Sequence, residues 1–106
     1  MDKLTILLLF SLSDLSFITI FLLMTPVHEA VHWALFSIEP DAEPLEYHVF
    51  DYDSLAKGYL GYVSWDGKMR IFNSFSQELI ANVIQLLVTI PIAYFLTMFL
   101  FRRVAL

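Results

Sequence analysis

Two histidines and a glutamate near residue 30 have the types and the spacing that metal-dependent hydrolysis requires. His28, Glu29 and His32 fit the pattern H-E-x-x-H. Residues four apart in an α-helix project from one face, about one turn apart, so both imidazoles could bind the same zinc ion. Glu29 would lie about a quarter turn away, where its carboxylate could accept a proton from a water molecule. The motif therefore predicts a helix that carries two metal ligands and a general base.

A hydrolytic zinc site usually has three protein ligands, so the third must come from elsewhere in the chain. Cysteine is absent, which leaves histidine and carboxylates. We expect Glu78, because it opens the second apolar segment on the side where the first one ends. Asn82, one turn further, could orient Glu78 or bind the substrate backbone. The other candidate ligands are side chains of the connecting loop: His48, Asp51, Asp53 and Asp66.

These residues resemble the metal-binding motifs of membrane zinc metalloproteases, whose two branches differ in the third ligand. Site-2 proteases take an aspartate from an L-D-G motif on another transmembrane helix. Here Asp66 lies in Trp65-Asp66-Gly67, within a polar hairpin, which favours a role in a turn. Gluzincins use a glutamate on a later helix, often with a carboxylate or amide one turn downstream, and Glu78 with Asn82 is similar to that pattern.

The resemblance covers residues 28–32 and 78–82, about a tenth of the chain. It implies a small gluzincin-like peptidase of the membrane that binds Zn²⁺ and cleaves a peptide or membrane-protein substrate. In such chemistry a histidine or tyrosine often donates a hydrogen bond to the oxyanion. The candidates for that role are His48, Tyr47, Tyr59 and Tyr62. For each of them the structural alternative is a loop or strand residue that lies at the membrane interface.

The composition is that of an integral membrane protein. Of 106 residues, 58% are hydrophobic, and the mean hydropathy of +0.69 exceeds that of soluble domains. At this length we expect one domain covering residues 1–106. The net charge is −5, but seven of the eleven acidic residues fall between Glu39 and Asp66, so the acidity belongs to a connecting loop. We do not expect a nucleic-acid partner.

The first membrane region covers about residues 4–36 and contains the histidine motif. It could be one continuous helix. Alternatively, Ser13 or Asp14 caps a new helix. We favour a break near residues 11–14, because the part that follows is itself long enough to span the hydrocarbon core. Pro26, one turn before the motif, is expected to bend this helix.

The second membrane helix covers about residues 78–101 and is followed by Arg102 and Arg103. Polar residues recur along one of its faces, at Glu78, Asn82, Gln85 and Thr89. This stripe should face protein, either at a functional site or in hydrogen bonds between helices. The sequence thus predicts a mainly α membrane protein with two transmembrane helices.

The loop between the helices, residues 37–77, has a β-rich pattern. Alternating residues in 59–65, an Asp66-Gly67 pair, and residues 68–72 predict strand, tight turn and strand. A third strand is plausible at 45–52. We therefore expect a small antiparallel hairpin or three-stranded sheet outside the membrane.

The arginine pair predicts the orientation of the chain. By the positive-inside rule it places the C-terminus in the cytoplasm, and two spans then put the acidic loop outside a membrane that we take to be the plasma membrane. Two helices enclose little volume, so homo-oligomerisation is a reasonable expectation.

The most favoured function is zinc-dependent hydrolysis of peptide bonds at or within the bilayer. The alternative is a non-catalytic membrane protein that binds a metal for sensing, transport or assembly. A third possibility, a structural membrane subunit with an accidental motif, predicts no bound metal. Glu29 distinguishes the first two, because only the enzyme needs a base beside the metal.

Overall fold

The computed structural model describes the backbone of residues 2–105 and the side chains of residues 2–103. The elements, in chain order, are α1 (Lys3–Leu23), α2 (Thr25–Ser37), β1 (Asp41–Val49), α3 (Tyr52–Ala56), β2 (Gly61–Lys68) and α4 (Ser74–Ala105). The predicted class is confirmed in its coarse form, since the chain is mostly helical with a small antiparallel sheet. Two helical stretches, Lys3–Ser37 and Ser74–Arg103, are long and apolar enough to cross a membrane.

The chain divides into two compact units. The first comprises the residues up to Met24 together with those from Leu86 onward, and the second is Thr25–Gln85. The first unit thus contains α1 and the C-terminal part of α4. Its helices expose most of their large apolar side chains, while Ser16, Thr89 and Ala93 are buried.

Helix α1 runs without a break through residues 11–14, so the break that we favoured there is wrong. The segment has neither glycine nor proline, and serine and aspartate cost a helix interior only a few tenths of a kcal/mol each. The interruption lies instead at Met24, just before Pro26. Proline has no N–H for the carbonyl four residues earlier, and its ring clashes with that carbonyl.

Helix α4 begins four residues before Glu78 and is capped reciprocally at its start. The Asn73 side chain accepts from the Ser76 N–H at 2.7 Å, and the Ser76 hydroxyl accepts from the Asn73 N–H at 2.9 Å. The helix then continues through Pro91 to Ala105.

The sheet of the second unit differs from the predicted hairpin. β1 pairs antiparallel with β2, from Asp41 opposite Lys68 to Val49 opposite Gly61. The strand that we considered only plausible, at 45–52, is thus largely part of β1. Residues 50–60, with the short helix α3, connect the strands.

The predicted turn at Asp66-Gly67 is therefore wrong. Gly67 lies inside β2 opposite Ala42, with φ of +105°, a conformation that favours glycine. A Cβ atom there would collide with the Asp41 carbonyl oxygen. The pairing with β1 outweighs the local turn propensity of Asp66-Gly67 and keeps Gly67 within the strand.

The strand that we predicted at 68–72 is wrong beyond Lys68, because a buried carboxylate accepts hydrogen bonds from the backbone N–H groups that follow. Glu39, just beyond the end of α2, is 5% exposed. Its oxygens accept from the N–H groups of Arg70 at 2.7 Å, Ile71 at 3.0 Å and Phe72 at 2.7 Å. Burial by itself would raise the pKa of Glu39, but these three hydrogen bonds outweigh it and the pKa is lowered. Glu39 thereby fixes the connection that leads into α4.

Candidate metal centre

Helix α2 presents the two histidines of the motif on one face. Their ring centroids are 5.0 Å apart, and the side chains of His28 and His32 are only 14% and 12% exposed. Glu78, near the start of α4, reaches both rings. Its Oε1 lies 2.7 Å from Nε2 of His32 and 3.4 Å from Nε2 of His28. The structure therefore brings together the three residues that the sequence proposed as ligands.

Each imidazole is held on its far side by one glutamine. The Oε1 atom of Gln85 lies 2.8 Å from Nδ1 of His28, and Oε1 of Gln77 lies 2.8 Å from Nδ1 of His32. Because a carboxamide oxygen only accepts, each Nδ1 carries the hydrogen and donates. In a neutral ring the lone pair is then on Nε2, directed at the centre. Gln77 and Gln85 are buried, with 1% and 5% of their surface exposed, so each hydrogen bond holds its ring in one orientation.

The three converging atoms suit a divalent cation. Two imidazole nitrogens and a carboxylate oxygen lie within 4.8 Å of one another. In neutral rings with the hydrogen on Nδ1, no hydrogen atom lies between them. Bonds of about 2.0–2.1 Å at tetrahedral angles separate the ligand atoms of a zinc site by about 3.3 Å. The observed 2.7 and 3.4 Å bracket that value. Glu78 is 55% exposed, which leaves the centre open on one side. His28, His32 and Glu78 thus form a group that could hold a metal ion.

Glu29 lies beside this group and is buried. It is 7% exposed and lines a cleft together with His32 and Glu78. Strand β2 passes close behind it at Gly61. A Cβ atom at Gly61 would be 3.0 Å from Cγ of Glu29 and 2.8 Å from the carbonyl oxygen of His48. Glycine at this position lets the strand approach Glu29 without displacing its side chain.

The cleft beside the centre has a volume of about 270 Å³. One wall is apolar, where the rings of Phe36 and Trp65 stack with centroids 4.8 Å apart. Val63 and Met69 add to that wall, and Tyr59 and Tyr62 also line the cleft. A polar centre thus faces an apolar wall across a space large enough for part of a peptide.

The loop candidates lie elsewhere, in a cluster around His48. Its Nδ1 is 2.6 Å from Asp51, and its Nε2 is 2.7 Å from Glu46 and 3.8 Å from Asp53. The hydrogen bonds to Glu46 and Asp51 raise the pKa of His48. The backbone N–H of Ser54 and the His48 ring lower the pKa of Asp51 to about 2. Glu46, His48 and Asp53 also have the spacing of metal ligands.

The other candidate residues form different contacts or are exposed. Asp66 accepts from the N–H of Gly67 at 2.9 Å within β2. Asn82 is exposed on α4, and the amides that contact the histidines are Gln77 and Gln85 instead. Tyr47 donates to the carbonyl of Pro26 at 2.6 Å. Tyr62 donates to Asp53 at 2.7 Å.

Sequence reasoning did not identify Gln77, Glu39 or Gly61 as parts of this region. A signal for Gln77 was available. It begins a series of residues spaced four apart that are all buried on α4: Gln77, Ala81, Gln85, Thr89 and Ala93. Of the predicted stripe, Gln85 and Thr89 belong to this series and are buried, whereas Glu78 and Asn82 lie one residue beyond Gln77 and Ala81 and are exposed. Glu39 and Gly61 have no comparable signal, because their roles depend on contacts with distant segments.

Comparison with protein-family models, curated protein sequences and solved structures gives no match to this chain.

Proposed function

We propose that this chain is a zinc-dependent endopeptidase of the membrane, which hydrolyses peptide bonds at or within the bilayer. One observation carries the proposal. Two imidazole nitrogens and a carboxylate oxygen converge at a cleft, with a buried glutamate beside them and glutamines fixing both rings. A metal site without catalysis would need the ligands but not Glu29.

The membrane part of the proposal rests on helix lengths. Helix α1 has 21 residues, about 31 Å at 1.5 Å per residue, which matches a hydrocarbon core of about 30 Å. If α1 crosses the bilayer, α2 starts at its boundary, so the catalytic histidines lie at the membrane surface or just below it. The arginine pair that ends the second apolar stretch favours a cytoplasmic C-terminus in the plasma membrane.

In this proposal His28, His32 and Glu78 hold the zinc ion. Zinc supplies Lewis acidity, which polarises the scissile carbonyl and makes a water molecule a stronger acid. Glu29 accepts the proton of the attacking water and passes it to the leaving amine, so that the amine departs neutral. The glutamines keep both imidazoles in the tautomer that a metal requires. The apolar wall of the cleft excludes water from one side of the substrate.

Strand β2 offers a way to bind the substrate. In this two-stranded sheet β1 occupies one edge of β2, and residues of β2 line the cleft. A substrate segment could add to the other edge as a further strand, with its backbone hydrogen-bonded and its side chains on alternate faces. Such binding holds a peptide extended, which exposes the bond that a helical substrate would shield.

The first test is the zinc content of detergent-purified protein, compared with His32→Ala and Glu78→Ala. We expect about one zinc per chain in the wild type and its loss in both variants. Retention in Glu78→Ala would move the third ligand elsewhere, with His48 and Asp66 the next to examine. A wild type that takes up no metal after zinc reconstitution would contradict the proposal.

The second test replaces the base. Glu29→Gln keeps the shape of the side chain but cannot accept a proton, so the variant should bind zinc normally and lose hydrolysis of a library of internally quenched peptides. Glu43→Gln, an exposed glutamate on β1, is the matched control and should behave as the wild type. Full hydrolysis by Glu29→Gln would exclude it as the base. Zinc binding without hydrolysis in the wild type would favour the non-catalytic alternative.

A further inference from the structure

The connection between β1 and β2 exposes an unusual number of apolar side chains. We refer to residues 50–60 as the apolar connection. Five of these eleven residues are large, apolar or aromatic, and exposed: Phe50 at 43%, Tyr52 at 88%, Leu55 at 54%, Tyr59 at 58% and Leu60 at 41%. Soluble surfaces rarely concentrate such residues without a partner. These side chains therefore indicate a contact surface.

The apolar connection lies at the N-terminal end of α2. On its β1 side, the Tyr47 hydroxyl donates to the Pro26 carbonyl. On its β2 side, Gly61 lies against Thr25, whose Cγ2 would be 3.0 Å from a Cβ atom at that position. Both flanks therefore contact the first two residues of α2. This is the end at which the chain comes from the apolar helix α1, which ends at Leu23.

The second apolar stretch also joins the unit at this end. Gln85 contacts His28, in the first turn of α2, and residues 86–101 of α4 follow it. Both connections to the apolar helices thus leave Thr25–Gln85 near the apolar connection. If those helices cross a bilayer, its surface meets the unit here.

The opposite end of the sheet is richer in charged residues. There Asp41 pairs with Lys68 across the strands, and Arg70 forms an ion pair with Asp41. Glu43 and Asp66 face each other two residue pairs further along. This end also exposes Ile38 and Ile71, so what distinguishes the connection end is the concentration of large apolar or aromatic side chains, five in eleven residues.

The charged groups within the apolar connection are paired. Asp51 accepts from the Ser54 N–H at 2.8 Å and lies 2.6 Å from the His48 ring. Tyr62 donates to Asp53 at 2.7 Å and accepts from Lys57 at 2.9 Å. Paired charges cost less than isolated ones where water becomes scarce. These acids are therefore compatible with a position at the lipid headgroups.

We infer that the apolar connection inserts into the headgroup region of the bilayer leaflet at which α1 ends. The inference rests on the membrane location in the proposed function. Tyrosines favour this region because their rings are apolar and their hydroxyls remain hydrated. Since Tyr59 also lines the cleft, insertion would bring the rim of the cleft to the lipid surface. A substrate would then enter from the membrane boundary.

Spin labels can test this inference at single chosen positions, because the chain has no native cysteine that would also be labelled. Nitroxide labels are placed at Tyr52→Cys and Leu55→Cys, at Glu43→Cys on the far end of the sheet, and at Leu15→Cys in the middle of α1. The full chain is reconstituted in phosphatidylcholine vesicles. Electron paramagnetic resonance then gives the collision rates of each label with oxygen, which enters lipid, and with a nickel chelate, which stays in water.

The expected oxygen-to-nickel ratio is highest at residue 15 and lowest at residue 43. At residues 52 and 55 it should be several times the value at residue 43. A ratio at 52 and 55 equal to that at 43, with residue 15 in lipid, overturns the inference and leaves the membrane span intact. Low collision rates with both reagents at 52 and 55 would indicate a protein partner and also overturn it. A label at residue 15 in water contradicts the membrane location itself.

Discussion

At the scale of single residues, the candidate metal centre consists of three converging side chains and of the hydrogen bonds that orient two of them. The pattern H-E-x-x-H predicted His28 and His32 on one helical face, because that follows from helix geometry alone. Gln77 escaped prediction, since a glutamine gains this role only when a distant histidine meets it. The orientation of each ring is thus set by residues that no local motif includes.

Removing one of these amides should weaken metal binding. Gln85→Ala deprives the His28 ring of the acceptor that fixes its tautomer, and we expect zinc affinity to fall by about 10- to 100-fold. Competition with a chromogenic chelator measures the change. Asn82→Ala, an exposed amide on the same helix, should leave the affinity unchanged. If Asn82→Ala had the larger effect, it would be Asn82 that orients the centre, as the sequence suggested.

At the scale of elements, helices were easier to predict than strands. The apolar runs and the arginine pair indicated both long helices, but the interruption in the first was misplaced and the second extends beyond the predicted 78–101 at both ends. The sheet was misread because Asp66-Gly67 is a strong local turn signal, while the pairing of β1 with β2 depends on residues about twenty positions apart. Glu39 adds a second long-range effect, since it accepts hydrogen bonds from the backbone N–H groups that the predicted strand at 68–72 would have used.

The Glu39 bonds should make the connection into α4 sensitive to acid. The folded pKa of Glu39 lies below its unfolded value, so its contribution to stability is present above the unfolded pKa and is lost as pH falls through the folded pKa. Glu39→Gln should therefore lower the melting temperature at neutral pH and show a smaller loss of stability on acidification than the wild type. Thermal unfolding between neutral and acidic pH measures both effects. Identical acid profiles for Glu39→Gln and the control Glu43→Gln would contradict this role.

Strand β2 should tolerate no side chain where it passes Glu29. In Gly61→Ala the new methyl group meets Cγ of Glu29 and the His48 carbonyl, and we expect a cost of about 1–3 kcal/mol in stability with loss of peptide hydrolysis. Gly58→Ala is the matched control. Its φ of +83° makes alanine strained by about 1 kcal/mol, but nothing lies within 4 Å of the added atom, so hydrolysis should persist. Equal activity in both variants would show that the close approach is unimportant.

At the scale of the whole molecule, a single helix carries residues of the candidate metal centre and a stretch long and apolar enough to cross a membrane. Helix α4 has 32 residues and bears Gln77, Glu78 and Gln85 on the same rod as its C-terminal apolar stretch. The histidines, in contrast, are on α2, which the interruption at Met24 separates from α1. Under the proposed membrane location, lipid surrounds the C-terminal part of α4, while the same helix carries Glu78 and both glutamines.

Under the proposed membrane location, a mismatch between the length of this apolar stretch and the thickness of the bilayer should change zinc binding. A helix that is too long for a thin bilayer tilts, and a tilt of α4 moves Glu78 and both glutamines relative to the imidazoles. We expect zinc affinity to change systematically across vesicles of phosphatidylcholines with increasing acyl length, and to be highest where the apolar stretch matches the bilayer. Affinity that is the same in every lipid would show that the centre is mechanically isolated from its helix. If the affinity does vary, the proposed peptidase should be most active in membranes of matching thickness, and lipid composition would regulate it.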